Sequence, residues 1–132
     1  MAHVLVADDD DEIRASLRLA LEDAGHSVIE AADGATALAI LESSPRALVA
    51  LLDYRMPEIN GTGVIAALAD ADGQLPARHA VLLFTAANAA TLNSTTDALF
   101  PGQVVRVIAK PFDVDEILSA VAEAEDRLGV QP

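Results

Sequence analysis

The sequence contains no cysteine and no tryptophan, and aromatic residues make up only 3% of its 132 residues. Disulfides therefore cannot hold the fold together, and the redox compartment cannot be inferred from cysteine usage. Hydrophobic residues nevertheless account for 52% of the chain. The core must be built mainly from aliphatic side chains, and a chain of this length can bury such a core without covalent cross-links.

Long hydrophobic runs are also absent, since no run exceeds six residues; residues 47–52 form one of them. Such runs are too short to span a bilayer, so we expect no membrane segment. Residues 1–4 do not combine a basic stretch with a long apolar one, which predicts no secretory signal. A cytoplasmic location is the default expectation.

Basic residues are scarce, with eight Lys and Arg against 21 Asp and Glu, for a net charge of -13. An acidic domain repels phosphate backbones, so we predict that this domain does not bind nucleic acid. Neither a GxGxxG nor a Walker-type loop is present, which gives a nucleotide-dependent enzyme no support. The negative charge suits a cation or a basic partner, although it also simply promotes solubility.

Short aliphatic runs alternate with longer helix-like segments, and the length predicts one domain spanning 1–132, with a core at about 3–128 and a tail or linker from 129. The predicted strands are 3–7, 27–31, 48–52, 80–84 and 104–109. The predicted helices are 11–24, 35–41, 64–68, 88–100 and a last helix capped by Asp113. This alternation indicates βαβ units and therefore an α/β fold, a single doubly wound (βα)5 domain with a parallel sheet.

Polar residues follow four of the predicted strands. Asp8 and Asp9 follow the first strand, Asp53 the third, Thr85 the fourth, and Lys110, the only lysine, the fifth. Because the carboxyl ends of parallel strands line a common crevice, we expect these side chains to meet at one edge of the sheet.

Carboxylates gathered at about 4 Å repel one another by roughly 1–4 kcal/mol and need a compensating cation. Oxygen ligands with room for water and phosphate suit Mg²⁺, with one of the acids Asp8 and Asp9 binding directly and the other through water. Asp53 is the candidate nucleophile, because a carboxylate that attacks phosphorus gives an acyl phosphate. Thr85, Lys110 and the metal would neutralise the phosphoryl oxygens.

Each of these residues also has a purely structural explanation. The acids at 8–11 are typical of a helix N-cap and first turn, and we leave residues 10–12 in that role. Asp53 alone is typical of a turn, and Thr85 of a strand. Asn60-Gly61 likewise predicts a turn. The histidines lack metal-ligand spacing and are expected at strand edges and turns without a function: His3, His26 and His79.

Four motifs resemble the receiver domains of response regulators, the CheY-like family. Residues 4–10 (VLVADDD) are similar to the first strand and acidic pair, and residues 51–61 (LLDYRMPEING) carry the D-x-x-M-P-x-x-x-G pattern of the phosphoacceptor loop. Residues 84–86 (FTA) match the switch hydroxyl, and residues 109–112 (AKPF) match the lysine motif. The resemblance runs from about 4 to 128, with the motifs in family order.

This resemblance implies a flavodoxin-like sheet of strand order 2-1-3-4-5, and the CheY-like family is a standard example of that order. It implies Mg²⁺ bound by Asp9, Asp53 and the backbone carbonyl of Arg55, with Asp8 acting mainly through water. It also implies a cis bond between Lys110 and Pro111.

The resemblance further implies that a histidine kinase or a phosphotransfer protein transfers a phosphoryl group to Asp53. The modified domain would then present a changed face to an unknown protein or output domain. Such a domain is not an enzyme in the usual sense, because it catalyses only its own phosphorylation and dephosphorylation.

The sequence departs from the family pattern at a few positions. Val107 stands where the family often carries an aromatic residue that rotates on phosphorylation. The segment 86–103 is polar and has low helix propensity. Arg55 and Ala87 occupy positions that tune the lifetime of the phosphoryl group in the family.

Two other functions are compatible with parts of the pattern. A degenerate receiver would only dock partners, which Val107 and the unusual 86–103 segment favour. A phosphohydrolase of the haloacid-dehalogenase type also uses an aspartate, a Thr or Ser, and a Lys. In that family, however, the nucleophile follows the first strand and the acid pair comes late, the reverse of the order here.

Overall fold

The computed structural model describes residues 1–71, 78–86, 88–100 and 103–129, and strands and helices alternate along them. The predicted helix-strand order is confirmed. The elements are β1 (His3–Ala7), α1 (Asp11–Asp23), β2 (Ser27–Ala31), α2 (Gly34–Ser43), β3 (Val49–Asp53), α3 (Gly61–Ala71), β4 (Ala80–Thr85), α4 (Ala89–Leu99), β5 (Val104–Ala109) and α5 (Val114–Arg127). Within these ranges no helix is long and apolar enough to cross a bilayer.

The five strands form one parallel sheet of order β2-β1-β3-β4-β5, as the family resemblance implies. Asp53 pairs with Phe84, and Thr85 pairs with Ala109. The strands therefore end at the same level, which brings the residues that follow them to one edge. A register irregularity in the β4–β5 pairing lies between Val81 and Leu82, well below that edge.

The sheet is covered on both faces, and alternate strand residues enter two separate cores. Ala50 and Leu52 of β3 belong to the core that includes Leu41 of α2 and Leu68 of α3. Val49 and Leu51 belong to the opposite core, formed with α1 and α5. Burial on both faces explains why β3 reads as an uninterrupted apolar run.

Among the described residues that are fully buried in the cores, Phe84 is the only aromatic one. Phe84 of β4 is fully buried and is among the largest buried side chains, and its ring stacks on Phe112 with a centroid distance of 5.0 Å. This aromatic pair therefore lies beside the ends of β4 and β5, next to Thr85 and Lys110.

Side-chain caps define where several helices begin. Asp10 accepts hydrogen bonds from the amides of Glu12 and Ile13 at 2.9 and 3.2 Å, and Asp113 accepts one from Glu116 at 2.8 Å. Each such cap stabilises the fold by about 1 kcal/mol. The capping roles predicted for Asp10 and Asp113 are confirmed.

The structure corrects some predicted boundaries. Strand β3 includes Asp53, and β4 includes Thr85, so both site residues are the last residues of strands rather than the first residues of loops. Helix α3 begins at Gly61, where a turn was predicted. It begins there because the Asn60 carboxamide accepts a hydrogen bond from the Gly63 amide at 2.8 Å, as an N-cap does.

The loop between β3 and α3 has an unusual backbone. Glu58 has a φ of 71°, and the Ile59 amide donates to the Pro57 carbonyl at 2.8 Å across it. A positive φ is unfavourable for a residue with a Cβ, so this three-residue turn is strained. The loop also lies directly on the first turn of α2, where a Cβ at Gly34 would overlap the carbonyl oxygen of Ile59.

Candidate functional site

Asp8 lies immediately after β1 and is completely buried. Its amide donates to the Ala31 carbonyl at 3.1 Å, and its carboxylate accepts hydrogen bonds from the Asp10 amide and from Lys110 Nζ, both at 2.9 Å. Asp9, the next residue, is exposed and lines the adjacent cleft. The acidic pair therefore divides into one fixed, buried carboxylate and one that faces solvent.

Asp53 ends the central strand β3 and is only 7% exposed. Its Oδ2 atom lies 3.2 Å from Lys110 Nζ, which also binds Asp8. The Lys110 amide donates to the Thr85 carbonyl at 2.8 Å, and the peptide bond from Lys110 to Pro111 is cis, as the resemblance implies. One ammonium group thus serves two buried carboxylates.

Three carboxylates gather at this point. Asp8, Asp9 and Asp53 each offer an oxygen atom, and these atoms all lie within 4.8 Å of one another. Because Lys110 supplies a single positive charge, the cluster has an excess of negative charge. Hard oxygen donors with uncompensated charge are the ligands that Mg²⁺ prefers, so the donor set fits this ion.

The pKa values reflect the imbalance. Burial, and then the negative charge of Asp8, raises the pKa of Asp53 above its ordinary value; Lys110 and the Arg55 amide offset this only in part. Burial lowers the pKa of Lys110, but the hydrogen bond and charge of Asp8, followed by those of Asp53, outweigh it and raise that pKa overall. Lys110 therefore remains an ammonium, while ionisation of Asp53 requires more free energy than ionisation of an exposed aspartate.

A cleft of about 210 Å³ opens above Asp53. Its lining residues are Asp9, Asp53, Tyr54, Arg55, Thr85, Ala86 and Lys110. The cleft is therefore lined by two carboxylates, two hydroxyl-bearing residues, an arginine and an ammonium, around a space that admits a small anion together with a cation.

The structure brings together all the side chains that the sequence predicts for the site. Arg55 lines the same cleft, while Ala87 lies outside the described residues. Val107 is half-buried and packs against the core of the α2–α3 face, so an aliphatic side chain fills the place expected for a mobile aromatic.

Two neighbours were not predicted from the sequence. Tyr54 lines the cleft, and the guanidinium of Arg14 donates to the Asp8 carbonyl at 2.7 Å. The position of Tyr54 directly after Asp53 was a usable signal. The Arg14 contact was not, because its acceptor is a backbone atom.

Comparison with known proteins agrees with this geometry. The response regulator receiver domain family matches residues 4–122. The chain is similar to the response regulator receiver protein CpdR of Brucella abortus, with 31% identity over 121 residues that cover 92% of this chain and 94% of CpdR. It is also similar to the response regulator MprA of Mycobacterium avium, with 36% identity over 88% of this chain and 47% of MprA.

Solved structures show the same fold. A CheY-like receiver domain from Methanospirillum hungatei superposes with a TM-score of 0.72 at 31% identity, covering 96% of this chain and 94% of that one. The chemotaxis protein CheY4 of Vibrio cholerae superposes with a TM-score of 0.80 at 27% identity, covering 94% and 98%.

The chain belongs to the response regulator receiver domain family. It is a receiver domain of the two-component type, and receiver domains are signalling modules. It spans nearly the full length of CpdR, about half of MprA and 31% of the transcriptional regulatory protein PrrA of Mycobacterium tuberculosis.

Proposed function

We propose that this receiver domain, one domain over residues 1–132 with its core at about 3–128, accepts a phosphoryl group on Asp53. The donor is a histidine kinase or a histidine-containing phosphotransfer protein. The receiver of the signal is a protein or output domain that reads the changed surface. In this role the chain acts on no other substrate and catalyses only its own phosphorylation and dephosphorylation.

The chemistry requires positioning and charge neutralisation. An Asp53 oxygen attacks phosphorus and forms an O–P bond, while the P–N bond to the donor imidazole breaks and the ring nitrogen keeps the electron pair. Lys110, 3.2 Å from Asp53, and the Thr85 hydroxyl in the same cleft are placed to neutralise phosphoryl oxygens. The buried Asp8 holds the Lys110 ammonium in place.

A Mg²⁺ ion would balance the negative charge of the three carboxylates that Lys110 leaves uncompensated. Asp9, Asp53 and the backbone carbonyl of Arg55 would hold the ion, with Asp8 contributing mainly through water. The bound ion supplies positive charge to the phosphoryl oxygens and offsets the repulsion among the three carboxylates.

One observation carries the proposal: a nucleophilic carboxylate at the base of a small cleft shares its single ammonium partner with a second buried carboxylate. A purely structural ion pair would balance its charges. This one has an excess of carboxylate on the side that opens to solvent, which is what a site for a divalent cation and a phosphoryl group requires.

The test is incubation with Mg²⁺ and a small acyl-phosphate donor, read by intact-protein mass spectrometry. We expect the wild type to gain the mass of one phosphoryl group and Asp53→Asn to gain none. Asp97→Asn, which removes an equal charge from an exposed position on α4, is the matched control and should be modified like the wild type.

A mass gain that persists in Asp53→Asn would contradict the assignment of Asp53. No gain in the wild type would contradict phosphoacceptor function altogether and favour a receiver that only docks partners.

A further inference from the structure

Arg14 of α1 links three parts of the chain through its guanidinium group. Nη1 donates to the backbone carbonyl of Asp8 at 2.7 Å, and Nε donates to Glu30 Oε1 on β2 at 3.2 Å. Nη2 also pairs with Asp11. Only 14% of the Arg14 side chain is exposed, and its three contacts place the guanidinium where it can fix the turn between β1 and α1.

The Asp8 carbonyl is part of the peptide group that leads to Asp9. The rest of Asp8 is held independently, because Ala31 accepts from its amide while the Asp10 amide and Lys110 Nζ donate to its carboxylate. Loss of Arg14 would leave those bonds in place. It would leave the peptide plane between Asp8 and Asp9 free to rotate.

Asp9 depends on that orientation. Its carboxylate lines the cleft and accepts no hydrogen bond from any residue that the structure describes. No side-chain partner therefore sets its direction, and rotation of the preceding peptide group would swing it away from Asp53.

We propose that Arg14 is a positioning residue for cation binding: it fixes the Asp8–Asp9 peptide so that the Asp9 carboxylate points into the cleft. Glu30 in turn fixes the guanidinium of Arg14. This inference rests on the proposed function, because it concerns the affinity of the acidic cluster for Mg²⁺.

Arg18 provides a matched control on the same helix. It binds the other oxygen of Glu30 at 2.7 Å and also pairs with Glu22 at 3.3 Å, but it makes no contact with the turn after β1. Substitutions at Arg14 and Arg18 remove the same charge and disturb the same glutamate. They differ in the contact with the Asp8 carbonyl and in the partner on α1, which is Asp11 for Arg14 and Glu22 for Arg18.

The experiment titrates MgCl₂ into the wild type, Arg14→Gln and Arg18→Gln while the fluorescence of Tyr54 is recorded. Tyr54 is the single tyrosine, it lines the cleft, and the chain has no tryptophan. We expect Arg14→Gln to weaken Mg²⁺ binding about tenfold, the lower end of the loss when a partner behind a metal ligand is removed. Arg18→Gln should bind like the wild type.

A second readout separates positioning from simple destabilisation. The rate of phosphorylation by a small acyl phosphate should require more Mg²⁺ in Arg14→Gln but reach the wild-type maximum when Mg²⁺ is saturating. If Arg14→Gln does not fold by circular dichroism, Arg14→Lys and Arg18→Lys replace the pair. A single ammonium cannot reproduce the forked contact, so Arg14→Lys should still bind Mg²⁺ several-fold more weakly than Arg18→Lys.

Equal Mg²⁺ affinity in the Arg14 variant and the wild type would overturn this inference and leave the proposed function intact. Equal weakening in the Arg14 and Arg18 variants would also overturn it, because the effect would then come from charge or from Glu30. If the wild type itself binds no Mg²⁺, the metal requirement of the proposed function fails together with this inference.

Discussion

Two buried ionisable side chains lie at opposite ends of the sheet and are held in opposite ways. His79 precedes β4, where Nδ1 accepts a hydrogen bond from the Leu48 amide at 3.0 Å and Nε2 donates to the Leu41 carbonyl at 2.9 Å. Asp53 ends β3 and shares one ammonium with another buried carboxylate. Backbone groups satisfy both ring nitrogens of His79, whereas Asp53 has too little positive charge around it.

Burial favours the uncharged form of both side chains. His79 can adopt that form and keep its hydrogen bonds, whereas Asp53 cannot adopt it and keep its proposed role. Burial lowers the pKa of His79, and the neutral ring has the one donor and one acceptor that its two partners need. Burial raises the pKa of Asp53, yet its proposed role requires the ionised form. In this chain the fully hydrogen-bonded group has a structural role, and the group with unbalanced charge is the one for which we propose a function.

The largest expected effect is at Lys110. Lys110→Met leaves Asp8 and Asp53 facing each other without a cation, so the free energy of unfolding without Mg²⁺ should fall by about 3–5 kcal/mol. Mg²⁺ should restore much of this loss, because a ligand that binds the native state stabilises it. Urea denaturation with and without Mg²⁺ measures both effects.

Arg106→Met is the control for that experiment. It removes the same charge from β5, the strand that Lys110 directly follows, but Arg106 is well exposed and its pairing distance to Glu123 is 3.9 Å, so the change should stay below about 0.5 kcal/mol. If Lys110→Met lowered the free energy of unfolding no more than Arg106→Met, Lys110 would not be needed to compensate the charges of Asp8 and Asp53.

A smaller effect is expected at the structural end of the sheet. His79→Ala leaves the Leu48 amide and the Leu41 carbonyl without a partner in a buried place, which should cost about 2–3 kcal/mol. Mg²⁺ should not restore this loss. Thermal and urea denaturation of His79→Ala provide the measurement. His26→Ala, which loses a single contact with the Ala2 amide, is measured beside it for comparison. Rescue of His79→Ala by Mg²⁺ beyond that seen in the wild type would break the comparison.

The smallest effect concerns pH. Because the pKa of His79 is lowered in the folded chain, the unfolded chain binds a proton more readily below the ordinary histidine pKa of about 6.5. The stability that neutral His79 provides is therefore complete above about pH 6.5 and is lost as the pH falls toward its lowered folded pKa.

The stability advantage of the wild type over His79→Gln should accordingly shrink as the solution is acidified from about pH 7.5. Urea denaturation of both chains at several pH values tests this. The comparison cancels the contribution of His26, whose pKa burial also lowers, and the opposite contribution of Asp53. Parallel stability curves for the two chains would contradict the tautomer and the bonding assigned to His79.

Most of the fold was predictable, because the aliphatic runs are short and each one is bounded by residues with a clear local preference. The predicted strand order came from the family resemblance. The boundary at α3 was wrong because Asn60 has two compatible uses: its carboxamide can close a turn or cap a helix, and the sequence alone does not choose between them.

The residues of the candidate site were predictable because parallel strands that end in polar residues deliver them to one edge. Contacts between side chains and distant backbone groups were not. His79 binds residues 31 and 38 positions away, and Arg14 binds the Asp8 carbonyl. A backbone donor or acceptor has the same chemistry at every position, so no sequence pattern identifies it.

No side chain separates the first turn of α2 from the loop that follows β3, since the backbone at Gly34 lies against the carbonyl of Ile59. A Cβ at Gly34 would overlap the oxygen of that carbonyl, so any larger residue at this position would force the loop and the helix apart. The missing side chain at Gly34 therefore sets how closely the loop after Asp53 can pack on α2.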